Sequence, residues 1–184
     1  DQDDFGMKYV ALNAPDTIQD YPMGYEWFQL YLNGTHISNA GAKEYDVSKK
    51  KISENIEKIY NSISLLLENS NLNMSDCFVM GFSQGGMMAF ELGKILQKHL
   101  AGLAIISSRI ISKEHEPNNA FLKTPIFISH GGQDAVLPIS NYNESIDVLK
   151  NYNYNYENYL IEKDEHTMSQ ETITLFQNFI KKNI

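Results

Sequence analysis

Cys77-Phe78-Val79-Met80-Gly81-Phe82-Ser83-Gln84-Gly85-Gly86 passes from a short apolar run, through a glycine-flanked serine, into a segment with helical spacing. The Phe and Val content of the run around Cys77–Met80 reads as a buried parallel strand. From about Gly85 to Leu100, Met88, Leu92, Ile95 and Leu96 recur at three- and four-residue intervals, so the spacing predicts a helix that buries them. Strand, tight turn and helix in that order are the context that the pattern G-x-S-x-G requires. The turn is sharp enough to strain the serine backbone, and a Cβ on either flanking glycine is expected to collide with the neighbouring strand or helix. Ser83 is then expected to stand exposed at a helix N-terminus. There the backbone N–H of Gln84 and the helix dipole favour a negatively charged oxygen. The plain alternative is a glycine-rich turn without chemistry.

Working outward, further Val-, Ile- and Phe-rich runs lie at Lys8–Leu12, Leu103–Ser107, Pro125–His130 and Tyr156–Ile161. Between the first two strands, Ile52, Ile56, Ile59, Ile63, Leu66 and Leu67 form one apolar stripe of a long helix. Ser140 is positioned to cap a helix carrying Ile146 and Leu149. Ser169 can cap a last one carrying Ile173, Phe176 and Ile180 and ending in Lys181-Lys182, where positive charge suits the dipole. Alternating strands and helices predict an α/β fold, a mostly parallel sheet flanked by helices, with residues 1–184 as one domain. The segment from Asp16 to Ala42 is long for a connection and reads as a lid or binding wall.

The bulk numbers agree with one globular domain. The 184 residues carry 15 Lys+Arg against 23 Asp+Glu, a net charge of −8. Nucleic acid is an improbable partner, because the densest basic run, Lys49-Lys50-Lys51, sits inside a helical pattern. The single cysteine, Cys77, forms no intramolecular disulfide and fits a reducing cytoplasm. Asp1-Gln2-Asp3-Asp4 has neither the basic nor the apolar stretch of a secretory signal, and no apolar run is long enough to span a bilayer. Arg109, the only arginine, reads as a consequence of AT-rich codon usage.

A serine hydroxyl near neutral pH needs a histidine to accept its proton and a carboxylate to orient that histidine. Asp134 follows one predicted strand in His130-Gly131-Gly132-Gln133-Asp134, and His166 follows the next in Glu165-His166-Thr167. Among the five histidines, His166 alone stands at a strand end after Asp134. His130 reads as a structural residue, and His36, His99 and His115 as surface or helix-end residues. Asp147, within a predicted helix, and Asp164, on the His166 loop, are rivals to Asp134. No H-E-x-x-H or Cys/His cluster offers metal-ligand spacing.

These residues resemble the phospholipase/carboxylesterase family, which includes the acyl-protein thioesterases, all serine α/β-hydrolases. The likeness runs through Asn13-Ala14-Pro15, Trp27-Phe28, Gly81-Phe82-Ser83-Gln84-Gly85-Gly86, His130-Gly131-Gly132-Gln133-Asp134-Ala135-Val136-Leu137-Pro138 and His166. It implies an α/β-hydrolase fold with Ser83 as nucleophile, Asp134 as orienting acid, His166 as base and Gln84 as one oxyanion donor. It also implies carboxylic ester or thioester substrates with an acyl tail and no cofactor. Trp27 and Phe28 would flank the acyl site or pack their loop onto the domain, and Leu137 would line the site. Two positions depart from the family pattern: Gln29 stands where Asp is common, and Glu165 where Gly precedes the histidine.

The family also carries a strand and a His-Gly-containing loop ahead of the segment matching Lys8–Leu12. The sequence begins after them, so a fold lacking the N-terminal strand or strands is expected. One oxyanion N–H would go with that loop, at a cost of roughly 10²–10³ in rate. The primary expectation is two-step acyl transfer, with activity falling as acid protonates His166. The alternative is a weak or inactive hydrolase-like domain that binds acyl ligands or a protein partner. An unpaired sheet edge predicts self-association, a homodimer being the simplest form.

Overall fold

The computed structural model describes residues 6–18 and 21–184; the acidic start Asp1–Asp4 lies outside the described residues. Two short antiparallel hairpins come first: β1 (Asp16–Ile18) with β2 (Tyr21–Glu26), and β3 (Tyr31–Leu32) with β4 (Thr35–His36). The helix α1 (Ala42–Glu68) leads through a 3₁₀ turn at Met74–Asp76 into β5 (Phe78–Phe82) and α2 (Gln84–Ile95). There follow β6 (Gly102–Ile106), α3 (Asn119–Lys123), β7 (Ile126–Gly131), α4 (Ile139–Asn151), β8 (Tyr156–Ile161) and α5 (Gln170–Asn183). The last four strands form one parallel sheet in the order β5-β6-β7-β8.

Alternation along the central strands divides the core. Leu103 and Ile105 of β6 and Ile126 and Ile128 of β7 face a large cluster with Ile52 and Ile56 of α1 and Met87, Phe90 and Leu92 of α2. Ala104, Ile106 and Phe127 face the other way, onto Phe179 of α5. Every residue of β6 and β7 is buried, as both faces of a parallel sheet must be when helices cover them. Because the four strands are parallel, the loops that follow them all leave the same edge of the sheet, beyond the carboxyl ends.

Several expectations are corrected. Lys8–Leu12 forms no strand: composition alone does not make one without a partner strand, and Tyr9 and Val10 are exposed. Asp16–Ala42 is not one open loop but the two hairpins, tied down by short strands that pattern reading does not resolve. Helix α2 stops at Ile95, leaving that side chain exposed, because the Asn118 amide donates to the carbonyls of Lys94 (2.7 Å) and Gly93 (3.4 Å) and Leu96 turns extended. Helix α4 begins at Ile139, with Pro138 rather than Ser140 in the capping position. Cys77 lies just ahead of β5 and is half-buried. In contrast, Ser169 caps α5 as the spacing predicts, its hydroxyl accepting the Thr172 N–H.

Candidate active site

Ser83 is the capping residue of α2, with φ 52° and ψ −122°, a left-handed strain that a non-glycine residue adopts only when its surroundings enforce it. The enforcement is visible. A Cβ at Gly81 would lie 2.1 Å from the Gly85 carbonyl oxygen, and one at Gly86 would lie 2.6 Å from the Ser108 side chain. Gly85, the second glycine of the G-x-S-x-G pattern, has open space where its Cβ would be. The collision expected there belongs to Gly86, because the turn faces β6 one residue later.

Ser83 Oγ lies 3.0 Å from His166 Nε2, and His166 Nδ1 lies 2.8 Å from Asp134 Oδ2. The other Asp134 oxygen accepts the backbone N–H groups of Val136 (2.9 Å) and Leu137 (2.8 Å), which fix the carboxylate in a fully buried position. Asp164, by comparison, has a buried Oδ2 with no hydrogen-bond partner. His166 and Asp134 come from different strand ends, and glycine lets their loops touch: a Cβ at Gly131 would meet the carbonyl oxygens of Asp164 and Glu165 at 2.3 Å. The Phe82 ring lies against the imidazole of His166 at 4.9 Å between centroids.

Gln84 is buried and uses its side chain to hold the 27–28 segment. Its Oε1 accepts the Trp27 N–H (2.8 Å) and its Nε2 donates to the Phe28 carbonyl (2.7 Å). Its own backbone N–H, in the first turn of α2, has no intrahelical acceptor and remains available at the serine. Trp27 is half-buried, and Asn55 donates to its carbonyl at 2.6 Å. Phe28 and Leu137 are 1% and 0% exposed within the main core cluster, which is the packing alternative for Phe28 and displaces Leu137 from a lining position.

The remaining histidines divide. His130 is buried, bonds the Leu137 carbonyl at 2.8 Å and stacks on Tyr142; burial holds its imidazole below the ordinary histidine value. His115 is not simply at the surface: its Nε2 meets the Tyr154 hydroxyl at 2.7 Å and its ring lies 4.6 Å from that of Tyr152. Among the described residues, no group of three or more His, Cys, Asp or Glu side chains is placed to hold a metal ion.

Ser107, Ser108 and Phe82 escaped the sequence reading. No short motif marks them. The only signal is a pair of hydroxyls ending an otherwise apolar strand.

Comparison with known proteins gives a consistent result. The sequence model of the phospholipase/carboxylesterase family matches residues 2–184. The acyl-protein thioesterase 1 of Gibberella zeae is 24% identical over 97% of this chain and 77% of its own length. That of Saccharomyces cerevisiae is 27% identical over 77% of this chain and 66% of its own. Among solved structures, the F65L variant of Arabidopsis thaliana SOBER1 superposes with a TM-score of 0.73 at 20% identity, over 94% of this chain and 81% of that one. Esterase PE8 superposes at 0.69 with 24% identity, over 94% and 76%. These likenesses are of fold, and the fold they share is the α/β-hydrolase.

Proposed function

The chain belongs to the phospholipase/carboxylesterase family, and from that premise we propose that it is a serine carboxylic ester hydrolase acting on acyl esters or thioesters. The observation that carries this reading is the pair of contacts from Ser83 Oγ through His166 to Asp134, at 3.0 and 2.8 Å. In acylation, Ser83 Oγ bonds to the substrate carbonyl carbon as His166 Nε2 takes its proton. The alcohol or thiol then leaves with that proton. Water attacks the acyl-enzyme, gives a proton to His166 and releases the acid as Ser83 recovers its own. Asp134 orients the imidazole and stabilises its charged form, and the Gln84 N–H donates to the oxyanion. No step calls for a cofactor.

The binding-only alternative is not favoured, since a ligand site has no use for a strained serine aligned on a histidine. The names of the thioesterase relatives support an acyl substrate, and Trp27, held beside Ser83 through Gln84, is the residue we assign to the acyl tail. Residues 1–184 act as one domain in this reading. The setting is cytoplasmic, in keeping with the lone thiol; among the described residues no helix is long and apolar enough to cross a membrane. A homodimer completes the reading and is tested by sedimentation.

The deciding experiment is intact mass after exposure to a fluorophosphonate, which labels serines activated by a working base. One adduct on the native protein and none on Ser83→Ala is the expected result. An unlabelled native protein would overturn the assignment.

A further inference from the structure

We infer that Ser107 and Ser108 are positioning residues for the reaction proposed above, a bracket at the end of β6 that holds the two reacting loops in register. The problem they solve is one of topology. Ser83 follows β5 at one edge of the sheet and His166 follows β8 at the other, with β6 and β7 between them. Two loops rooted that far apart must nevertheless keep Oγ and Nε2 at 3.0 Å.

The end of β6 reaches both. Phe82 is in register with Ile106, and the Ser83 N–H donates to the Ile106 carbonyl at 2.9 Å, so Ser83 and Ser107 stand side by side where their strands end. Both have left-handed backbones, Ser83 with φ 52° and Ser107 with φ 43°. At Ser107 that conformation carries the hydroxyl across to the His166 loop, where it donates to the Thr167 carbonyl at 3.1 Å. The next residue turns the opposite way, and the Ser108 hydroxyl donates to the Ser83 carbonyl at 2.5 Å. Both serines are 1% exposed, so each hydroxyl is committed to its one acceptor. Each acts through another residue, and neither touches the reacting atoms.

The bracket is separable from the fold. The Ser83 carbonyl keeps a second bond from the Gly86 N–H at 3.0 Å, and Thr167 is exposed, so water can replace the lost donor there. Ser107→Gly removes the hydroxyl while easing the backbone, and Ser108→Ala removes the other. Fluorophosphonate labelling rates and turnover of p-nitrophenyl acetate are measured for both, beside thermal unfolding and the downfield proton resonance of His166 Nδ1.

Each variant is expected to label about 10- to 100-fold more slowly, with kcat lowered, KM unchanged and the unfolding midpoint retained, since small misplacement of reacting groups costs rate rather than binding. The His166 resonance should broaden in Ser107→Gly and persist in Ser108→Ala. A native protein that labels, with variants labelling within about twofold of its rate, overturns this inference alone. A native protein that does not label overturns the proposed reaction and the bracket with it.

Discussion

Asp134 separates two jobs between its two oxygens. One is held by the N–H groups of Val136 and Leu137, and the other meets His166 Nδ1 at 2.8 Å, with His130 Nε2 farther off at 3.5 Å. Asp134→Asn should therefore keep its loop, because the amide oxygen can still accept both N–H groups. The NH₂ then faces Nδ1 and imposes the wrong tautomer, and kcat should fall by about 10⁴-fold, measured by ester turnover with unfolding as control. Ser83→Ala should lose at least as much. These three side chains were legible because each ends a strand within a short motif. Phe82, Ser107 and Ser108 were not, since their contacts join distant segments and leave no local pattern. Leu137 was misassigned for a related reason: its place beside Asp134 is fixed by its N–H, which a sequence does not display, while its side chain fills the core.

At the level of elements, the turn from β5 into α2 makes opposite predictions for adjacent glycines. Gly86→Ala forces Ser108 away from Ser83 and should destabilise the fold, whereas Gly85→Ala meets no neighbour in a helical position and should stabilise by up to about 1 kcal/mol. Urea titration of the two variants distinguishes them. Gln84→Ala removes both bonds to the 27–28 segment and leaves the buried Phe28 carbonyl and the half-buried Trp27 N–H unpaired, a loss of about 1–3 kcal/mol in the same titration. The central strands β6 and β7 were readable because burial on both faces imposes apolar runs, and the long helices because burial of one face imposes stripes, whereas β5 and β8 are partly exposed, with Met80 and Leu160 at the surface. The hairpins were not readable, since β1, β3 and β4 have only two or three residues each, shorter than any period that could reveal them, and β2 is largely exposed and so shows no buried apolar run. The end of α2 was hidden too, because the amide that stops it arrives from Asn118.

The molecule as a whole should lose stability in mild acid. Burial lowers the imidazole pKa of His130, and of His115 and His36 as well, below the ordinary value of 6.5. Such a group binds its proton more readily in the unfolded chain. The stability it contributes is complete above about pH 6.5 and is lost as pH falls through the lower folded value, with a slope of at most about 1.4 kcal/mol per pH unit for a buried group such as His130. Unfolding midpoints should drop between neutral pH and pH about 5, and His130→Gln should flatten that dependence. The charge balance alone forecasts none of this, because it counts histidines without saying which are buried.

Arg109 joins the scales. Its guanidinium is 3% exposed, donates to the carbonyls of Ile37, Ser38 and Ala40, and meets Glu144 at 3.3 Å. As the only arginine, it leaves the folded surface with amines as its sole permanent side-chain cations. An arginine-selective dicarbonyl therefore has one target in the entire chain, hidden beneath the segment that joins the hairpins to α1. Its rate of modification becomes a clock for the opening of that segment, readable by mass without any introduced label.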